Sequence, residues 1–491
     1  MRGAKPTKFG QKDRSRGGCS PVMFCSWLLI LMWMLFLIYC WQTGIVDREK
    51  VNEMVVEAET IINRTENSLR GRFHTLAYNG EHVSHPPVHP SAAAQRRDGE
   101  VHIVFSTDCS EYQDWQTLLL FHSAKVVGQV GKITRIASGC TDEKKAHLNK
   151  LYSSLYDSDY GAHYTPDFKR DAKTNKKYDF YNKPWGMKHW LEFAHPPIPE
   201  NTFIALLDPD MVLVRPITTH IEGDMSVLVH PRLKKDGEVI DEISLGHPVA
   251  QTYGLGAPWT NDNHKKFNRG KICGEGSPCL QPNQRFGELH YSVGPPYIAH
   301  KADMLRIVRT WTTFVPRVYE GYPYLLAEMY AYSMAAAHEK LPHLQLDHYM
   351  VSNVDAGGEG WAHVDALPQV CRPPDENGIY YKGHPMPSVV HFCQGIRAGD
   401  FVFLKRRIPK NIFTCEHPLF TELPMNLGES TYKMQNGKKQ AIKNARTAKR
   451  NSFELCIVYD ALNKAMVHFK DKMCQGNPNT TYAKAFKLPV H

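Results

Sequence analysis

A run of twenty residues near the N-terminus, Val22 to Trp41, contains no charged side chain. A helix needs about 20 apolar residues to cross the hydrocarbon core of a membrane, so this run constrains where the rest of the chain can fold. Six basic residues and one acidic residue precede it, whereas acidic residues dominate the segment that follows. The positive-inside rule therefore predicts a cytosolic tail over residues 1–21, a transmembrane helix over 22–41 and a lumenal remainder.

A cleaved signal peptide is the alternative interpretation of this run. The run is longer than the ~7–15 apolar residues of a signal peptide, and bulky Tyr39, Cys40 and Trp41 stand where a small-residue cleavage site is expected. We therefore predict an uncleaved anchor and a type II membrane protein.

The cysteines can be interpreted from this topology. Nine of the twelve follow the apolar run, and an oxidising lumen permits disulfides between them, with at least one thiol left over. Cys273 and Cys279 flank a turn-rich spacer that could close a small loop, although spacing alone does not determine pairing. The chain has no short-spaced quartet of Cys and His, so disulfides are favoured over structural zinc.

Composition shifts divide the lumenal part into three segments. Residues 42–100 combine a short charged helix with a loop rich in His, Pro and Ala, which is typical of a stem. Residues 101–425 alternate apolar strands with helices, which predicts an α/β domain with a mainly parallel sheet. The predicted strands are Val101–Asp108, Lys132–Gly139 and Thr202–Leu207, and the predicted helices are Asp114–Val127 and Trp185–Phe193.

Residues 426–491 begin with a basic segment and end in a helix. Ser430 to Arg450 contains seven basic residues and no acid, and Asn451 with Glu454 resembles a capping box that would start the helix. One face of that helix is apolar from Leu455 to Met473. A solvated loop and a helix packed on the preceding domain are favoured over a surface for an acidic acceptor or lipid headgroups. The net charge of +9 is spread along the chain without a nucleic-acid motif, so we predict no nucleic-acid partner.

The strongest chemical signal is Asp208-Pro209-Asp210, where a strongly apolar strand ends in two carboxylates. Carboxylate oxygens suit manganese or magnesium, and a metal held there can bridge the two phosphates of a nucleotide sugar and stabilise the departing diphosphate. Such a triplet is also common in surface turns. A second short apolar stretch ends in His391, whose imidazole could complete the metal site if the fold brings it there.

Several motifs in order resemble plant and algal hydroxyproline O-arabinosyltransferases and the related peptidyl serine α-galactosyltransferases over about residues 101–425. The resemblance implies a GT-A-like fold and a retaining enzyme of the Golgi or ER that transfers sugar from a UDP donor to hydroxyl side chains of secreted, hydroxyproline-rich proteins. The motifs are Gly131-Lys-Ile-Thr-Arg135-Ile, Asn182-Lys-Pro-Trp185, His189-Trp-Leu-Glu, Asp208-Pro-Asp210, Val293-Gly-Pro-Pro, Glu328-Met-Tyr330-Ala-Tyr332 and His391-Phe-Cys-Gln.

Departures from these motifs bear on the sugar. The arabinosyltransferases tend to have Asn-Arg-Pro-Trp-Ala-Phe and Glu-Pro-Asp-His, whereas this chain has Lys183, Gly186, Met187, Asp208 and Met211 at the differing positions. The acidic triplet and Asn-Lys-Pro are closer to the serine galactosyltransferases, while the tryptophan is closer to the arabinosyltransferases. Arabinose and galactose therefore both stay open as the transferred sugar.

Four residues are candidates for contacts with the nucleotide. Thr107 and Asp108 end the first strand and are predicted to recognise the uracil or ribose, with Asp108 as a helix N-cap the alternative. Arg135 and Lys183 are predicted to bind the diphosphate, with exposed surface charges the alternative.

The remaining candidates come from two of the motifs. Asn182 and Trp185 are assigned to the donor site, although Trp185 as helix packing is favoured over sugar stacking. Glu328 lies in an apolar helical run where an unpaired carboxylate is expensive, so we predict that it acts as nucleophile, stabilises the sugar centre or orients the acceptor. A buried ion pair is the alternative for Glu328. Tyr330 and Tyr332 are candidates for an acceptor groove or for the core.

Two other functional classes use some of the same residues. A metal-dependent nucleotidyl or phosphoryl transferase also needs paired aspartates, but the sequence has neither a Gly-rich phosphate loop nor a Walker-type lysine motif. A catalytically silent carbohydrate-binding membrane protein of the same fold would keep the aromatic residues without needing the acids. Sugar turnover with and without manganese separates the three classes.

Overall fold

The computed structural model of the protein describes residues 97–221, 242–262, 264–375 and 380–483. The predicted tail, transmembrane helix and most of the stem lie outside these ranges. Among the helices within them, none has both the length and the apolar character that a membrane crossing requires.

Short strands and helices follow one another along the described chain. The strands are β1 (His102–Asp108), β2 (Ile133–Ser138), β3 (Tyr160–Thr165), β4 (Phe203–Leu207), β5 (Met211–Leu213), β6 (Val249–Thr252), β7 (Val293–His300), β8 (Leu344–Leu346), β9 (Met350–Val351), β10 (Val389–His391), β11 (Ile396–Ala398), β12 (Phe401–Phe403), β13 (Tyr432–Gln435) and β14 (Lys438–Ala441). The α-helices are α1 (Glu111–Val126), α2 (Asp142–Leu155), α3 (Asn182–Phe193), α4 (Arg269–Cys273), α5 (Gln284–His290), α6 (Lys301–Gly321), α7 (Ala327–His338), α8 (Trp361–Ala366) and α9 (Ala445–Met473).

The main sheet of the described residues has seven strands in the order β3-β2-β1-β4-β7-β6-β8. Pairing is parallel from β3 to β4 and between β6 and β8, whereas β7 runs antiparallel to both of its neighbours. The three predicted strands correspond to β1, β2 and β4. The predicted α/β fold with a mainly parallel sheet is therefore confirmed.

Both faces of the main sheet are covered, because alternate side chains of a strand point to opposite sides. Ile103 and Phe105 of β1 pack into one cluster with residues of α1 and α2. Val104 packs on the other side with residues of α3, α6 and α7. Burial on both faces explains why β4 is apolar throughout, with all five of its residues buried.

A smaller sheet, in the order β5-β10-β9, connects to the carboxyl end of β4. β5 follows directly after the Asp208-Pro209-Asp210 turn and pairs antiparallel with β10, which places His391 opposite Met211. Two segments about 180 residues apart in the chain thereby meet at the end of the main sheet.

The C-terminal part differs from the sequence prediction in two details. The predicted capping box is wrong: α9 starts at Ala445, because the Asn444 side chain already accepts a hydrogen bond from the N–H of Thr447. Part of the predicted basic loop is a hairpin of β13 and β14. Its turn is Asn436-Gly437, both with positive φ, and such a dipeptide is a strong hairpin signal.

The apolar stripe of α9 covers a third cluster, which also contains Trp115 of α1, Val212 of β5 and Val390 of β10. Leu455 and Met466 are completely buried in this cluster, whereas Met473 at the helix end is exposed. The helix therefore packs on the α/β domain, as expected of an amphipathic stripe.

Four disulfides form among the nine cysteines of the described residues, and Cys393 is left free. Cys273 pairs with Cys279 and closes the small loop between them, a pairing that their spacing left open. Cys371–Cys456 and Cys415–Cys474 attach α9 to the domain before it. The remaining pair is Cys109–Cys140.

Glu454 lies inside α9, and its buried Oε1 has no hydrogen-bond partner among the described residues. Burial, reinforced by the nearby charge of Glu359, raises the pKa of Glu454 well above its ordinary value. At a pH below that ordinary value, the Glu454 carboxyl is protonated in both the folded and the unfolded chain. As pH rises above it the unfolded chain releases the proton first, so the folded state loses stability.

We therefore expect Glu454→Gln to stabilise the protein by about 1 kcal/mol or more at pH 8 and to have little effect at pH 4. Melting temperatures of variant and wild type across this range test the prediction. The exposed glutamate Glu429, changed to Gln, is the control and should show no such trend. A stability difference that does not vary with pH would contradict the assignment of a buried, protonated carboxyl.

Candidate active site

A pocket of about 780 Å³ opens at the carboxyl ends of β1 and β4. Strand β1 contributes Thr107 and Asp108, the turn after β4 contributes Asp208 and Asp210, and α7 contributes Glu328. This is the edge at which ligands bind in open α/β sheets.

The three predicted metal ligands meet in this pocket. Asp208, Asp210 and His391 each offer one ligand atom, and these atoms lie within 4.8 Å of one another. The Nε2 atom of His391 is 3.2 Å from Oδ1 of Asp210 and 3.9 Å from Oδ2 of Asp208. Two carboxylate oxygens and one imidazole nitrogen are a donor set that fits manganese or magnesium.

Each aspartate also contacts a lysine. Lys183, at the start of α3, places its Nζ 2.7 Å from Oδ1 of Asp208, and Lys405 forms an ion pair with Asp210. Burial alone would raise the pKa of Asp210, but His391 and Lys405 hold it well below its ordinary value. Asp210 is therefore ionised, as a metal ligand must be.

Lys405 was missed in the sequence, and the structure places it in the wall of the pocket. It begins a 3-10 helix, Lys405–Arg407, directly after β12. Its only sequence signal is a run of three basic residues, which is typical of an exposed turn.

Glu328 is buried at the first turn of α7 and has two different environments at its two oxygens. Oε1 lies 3.0 Å from Nζ of Lys183, so the ion pair considered as the alternative is present. Oε2 is buried without a hydrogen-bond partner among the described residues. Burial and the charge of Asp208 raise the pKa of Glu328, while Lys183 opposes this shift. Lys183 therefore links Glu328 to Asp208, one of the three predicted metal ligands.

Thr107 and Asp108 lie in the pocket as predicted, but Asp108 does not cap α1. Ser110 is the N-cap residue, and its N–H and Oγ both donate to the carboxylate of Asp108, at 3.0 and 2.6 Å. Lys169 lies 3.2 Å from the other oxygen of Asp108. Although burial opposes it, these partners lower the pKa of Asp108, which is therefore a fixed, charged acceptor at the pocket edge.

Arg135 is neither a surface charge nor part of the pocket lining, which corrects both interpretations. Its completely buried guanidinium donates to Oγ1 of Thr107 at 2.8 Å and to the carbonyl of Asp108 at 2.9 Å. It also donates to Asp114 and Tyr152, both at 2.7 Å. With all three of its nitrogens hydrogen-bonded inside the protein, Arg135 holds the end of β1 in position and is not available to a diphosphate.

Arg135→Met is expected to lower stability by about 3 kcal/mol, because it removes one partner of a buried charged network. In a chain of this size such a loss lowers the melting temperature by roughly 5 °C. The melting temperature of the variant tests this expectation. The exposed Arg170, changed to Met, is the control. A melting temperature equal to that of the wild type would show that the network contributes nothing to folding.

Asn182 and Trp185 lie on α3 but play different parts. Asn182 lines the pocket, and its amide accepts from the N–H of Phe168 at 2.7 Å and donates to Asp167. Trp185 is not among the described residues that line the pocket, so its assignment to the donor site is corrected. Its ring packs beside Phe168, 6.1 Å between centroids, with Lys188 over one face.

Tyr330 and Tyr332 belong to the core rather than to a groove. The Oη of Tyr330 donates to the carbonyl of Leu255 at 3.1 Å, and Oη of Tyr332 lies 2.9 Å from Nε2 of His343. Both side chains are buried. The free thiol of Cys393 does line the pocket, but burial raises its pKa to about 12, so it is a neutral group there.

Comparison with known proteins gives a family match over the first part of this domain. Residues 101–231 match the family model described as the hydroxyproline O-arabinosyltransferase family N-terminal domain. The predicted resemblance to hydroxyproline O-arabinosyltransferases and peptidyl serine α-galactosyltransferases is confirmed by this match together with two curated relatives.

The two relatives are both named peptidyl serine alpha-galactosyltransferase. The one from Chlamydomonas reinhardtii is 26% identical over 260 residues, which are 50% of this chain and 30% of the relative. The one from Arabidopsis thaliana is 40% identical over 119 residues, which are 24% of this chain and 14% of the relative. The matches therefore span less than a third of the length of either relative.

Solved structures with a partial likeness include two glycosyltransferases. The apo structure of the bifunctional glycosyltransferase WbbM has a TM-score of 0.32 and 10% identity, and the match covers 61% of this chain and 46% of WbbM. An active-site mutant of LgtC also has a TM-score of 0.32 and 10% identity, over 60% of this chain and 88% of LgtC.

Proposed function

We propose that this chain is a metal-dependent, retaining glycosyltransferase with a GT-A-like fold. It transfers arabinose or galactose from a UDP-sugar to hydroxyproline or serine hydroxyls of proteins in the secretory pathway. The observation that carries the proposal is the convergence of Asp208, Asp210 and His391 in one pocket at the carboxyl edge of the sheet. The sugar and acceptor classes come from the names of the matching family and relatives.

Asp208, Asp210 and His391 would hold a manganese or magnesium ion, which would supply Lewis-acid stabilisation of the departing diphosphate. The protein's own cations can add to it. Lys183 and Lys405 now neutralise the two aspartates, and a divalent ion on the aspartates would release both lysines for phosphate oxygens. The side of the pocket formed by Thr107 and Asp108 is left for the uracil and ribose.

Glu328 is the acid best placed to act on the sugar. Its Oε2 is desolvated and has no hydrogen-bond partner among the described residues, while its Oε1 lies 3.0 Å from Nζ of Lys183. A desolvated carboxylate stabilises an electron-poor sugar centre more strongly than one in water does. Nucleophilic attack in a double displacement and electrostatic support of a front-face reaction are both compatible with this position.

Turnover by the full chain in detergent tests the proposal. UDP-galactose and UDP-arabinose are each offered with peptides that contain hydroxyproline or serine, with manganese and with a chelator. We expect UDP release and a glycopeptide of retained configuration with only one of the donors, and loss of both products in the chelator. A protein that binds the sugar but never releases UDP would favour the silent carbohydrate-binding alternative and end the enzymatic proposal.

We also propose that residues 22–41 anchor the protein in the Golgi or ER membrane with the catalytic domain in the lumen. The absence of charge in this run and the basic residues before it support this topology. Protease added to sealed microsomes should leave the chain beyond about residue 45 intact and digest it once detergent opens the vesicles. Digestion of the catalytic domain in sealed vesicles would reject the topology.

A further inference from the structure

A second cavity, of about 300 Å³, lies beside the active-site pocket. We call it the aromatic groove and define it by the residues that line it. It shares Asp179, Phe180 and Leu325 with the active-site pocket, so the two cavities are neighbours. The lining residues of the aromatic groove are Lys177, Tyr178, Asp179, Phe180, Tyr319, Pro323, Tyr324 and Leu325.

The groove presents aromatic surface to solvent. Its floor is the stacked pair Tyr178 and Tyr319, whose ring centroids are 4.3 Å apart. At its rim Phe180, Tyr324 and Leu325 are 41%, 52% and 61% exposed. Single exposed apolar residues are common on proteins, but three that border one cavity form a patch of the kind that marks a binding surface.

Hydrogen bonds connect the floor of the groove to the start of α7, the helix that contains Glu328. The Oη of Tyr178 donates to the carbonyl of Leu325 at 2.7 Å and accepts from the N–H of Glu328 at 3.2 Å. Tyr178 therefore lines the groove and also holds the start of α7 in position. A chain lying in the groove would be held in register with the carboxylate of Glu328.

The charges of the groove limit what it can hold. Its two ionisable side chains other than tyrosine, Lys177 and Asp179, form an ion pair with each other at 3.3 Å. The lining side chains therefore carry no net charge, and one further cation stands at the rim, where Nζ of Lys266 lies 4.8 Å from the ring centroid of Tyr324. A groove of this kind offers little to a strongly basic peptide. Flat aromatic faces in a shallow, neutral groove are the surface on which extended proline-rich segments dock in other recognition domains.

From these observations we infer that the aromatic groove binds the acceptor polypeptide as an extended, uncharged, proline- or hydroxyproline-rich segment next to the glycosylated hydroxyl. The inference rests on the proposed function and adds the surface that selects the acceptor. Because the two cavities share three lining residues, a segment in the groove lies next to the pocket that contains Glu328. A preformed polyproline helix loses little entropy on binding there.

Tyr324→Ala is the direct test, because Tyr324 lines the groove but not the active-site pocket. For a ten-residue proline-rich peptide we expect KM to rise about ten-fold, as for a lost aromatic contact, with UDP-sugar hydrolysis unchanged. Tyr324→Phe should keep the wild-type KM. Phe286→Ala is the matched control, since Phe286 is 42% exposed on α5, and it should have no effect.

Four outcomes decide the matter. An unchanged KM in Tyr324→Ala overturns the inference, and so does an equal loss for a proline-free serine peptide of the same length. A loss that the Phe286→Ala control shares also overturns it. If wild-type protein turns over no UDP-sugar, the proposed function fails, but fluorescence anisotropy of a labelled proline-rich peptide still tests the groove. Binding that is weakened by Tyr324→Ala then supports the groove alone.

Discussion

Replacing Asp210 by Asn is expected to reduce sugar transfer at least about a thousandfold, because it removes a charged ligand from the proposed metal site and with it several kcal/mol of transition-state stabilisation. The fold should survive the change. Asparagine has nearly the same volume, and Lys405, which loses its partner, is partly exposed and can be solvated. Transfer rate and melting temperature measured on the same preparation test both halves of this expectation.

Variants of the other two predicted metal ligands, and one control variant, extend that test. Asp208→Asn should behave like Asp210→Asn, and His391→Ala should raise the manganese concentration needed for half-maximal activity. Asp365→Asn is the control, because Asp365 also loses an ion pair, with Arg450 at 2.6 Å, but does not line the pocket. Normal transfer by either aspartate variant would remove the metal-site assignment.

Glu328→Gln is expected to lower kcat by about a hundredfold or more while the affinity for UDP changes little, since a charge that supports the sugar centre matters mainly in the transition state. The variant keeps the size and hydrogen-bonding capacity of the side chain. Lys183 keeps Asp208 as a partner, so the loss of stability should be smaller than the ~3–5 kcal/mol of a fully broken buried pair. Turnover, UDP affinity and melting temperature are measured together.

Glu339→Gln is the matched control for this variant. Glu339 follows the other end of the same helix and pairs with Arg306 at 3.2 Å outside the pocket. Its replacement should leave kcat unchanged whatever it does to stability. If Glu328→Gln melts early but its folded fraction transfers sugar at the normal rate, Glu328 is a structural partner of Lys183 and not a catalytic residue.

Local patterns in the sequence were sufficient to predict those candidate site residues that stand at the ends of strands. The apolar stretches before Asp210 and His391 predicted two strand ends with metal-capable side chains. The pairing of β5 with β10 that brings them together is a contact between distant segments, and no local pattern encodes it.

Two of the three misses have the same physical origin. Arg135 looked available because a sequence does not show whether a strand side chain meets a carboxylate inside the core. Lys405 looked like part of an exposed basic turn. β3 was not predicted because Tyr160–Thr165 is an edge strand of half-buried residues, with Gly161 and His163 interrupting the apolar pattern. For Arg135 and Lys405 the missing information is the partner on another element, whereas β3 lacks a clear apolar pattern of its own.

The two disulfides of α9 have a practical consequence for anyone who wishes to produce this protein. A version shortened at residue 425, where the composition changes, would expose the third hydrophobic cluster and leave Cys371 and Cys415 without partners. Bacterial cytosol would leave the same two bridges unformed even in a longer version. Soluble, active material is therefore expected only from versions that extend through Cys474 and are secreted through an oxidising compartment of the expression host.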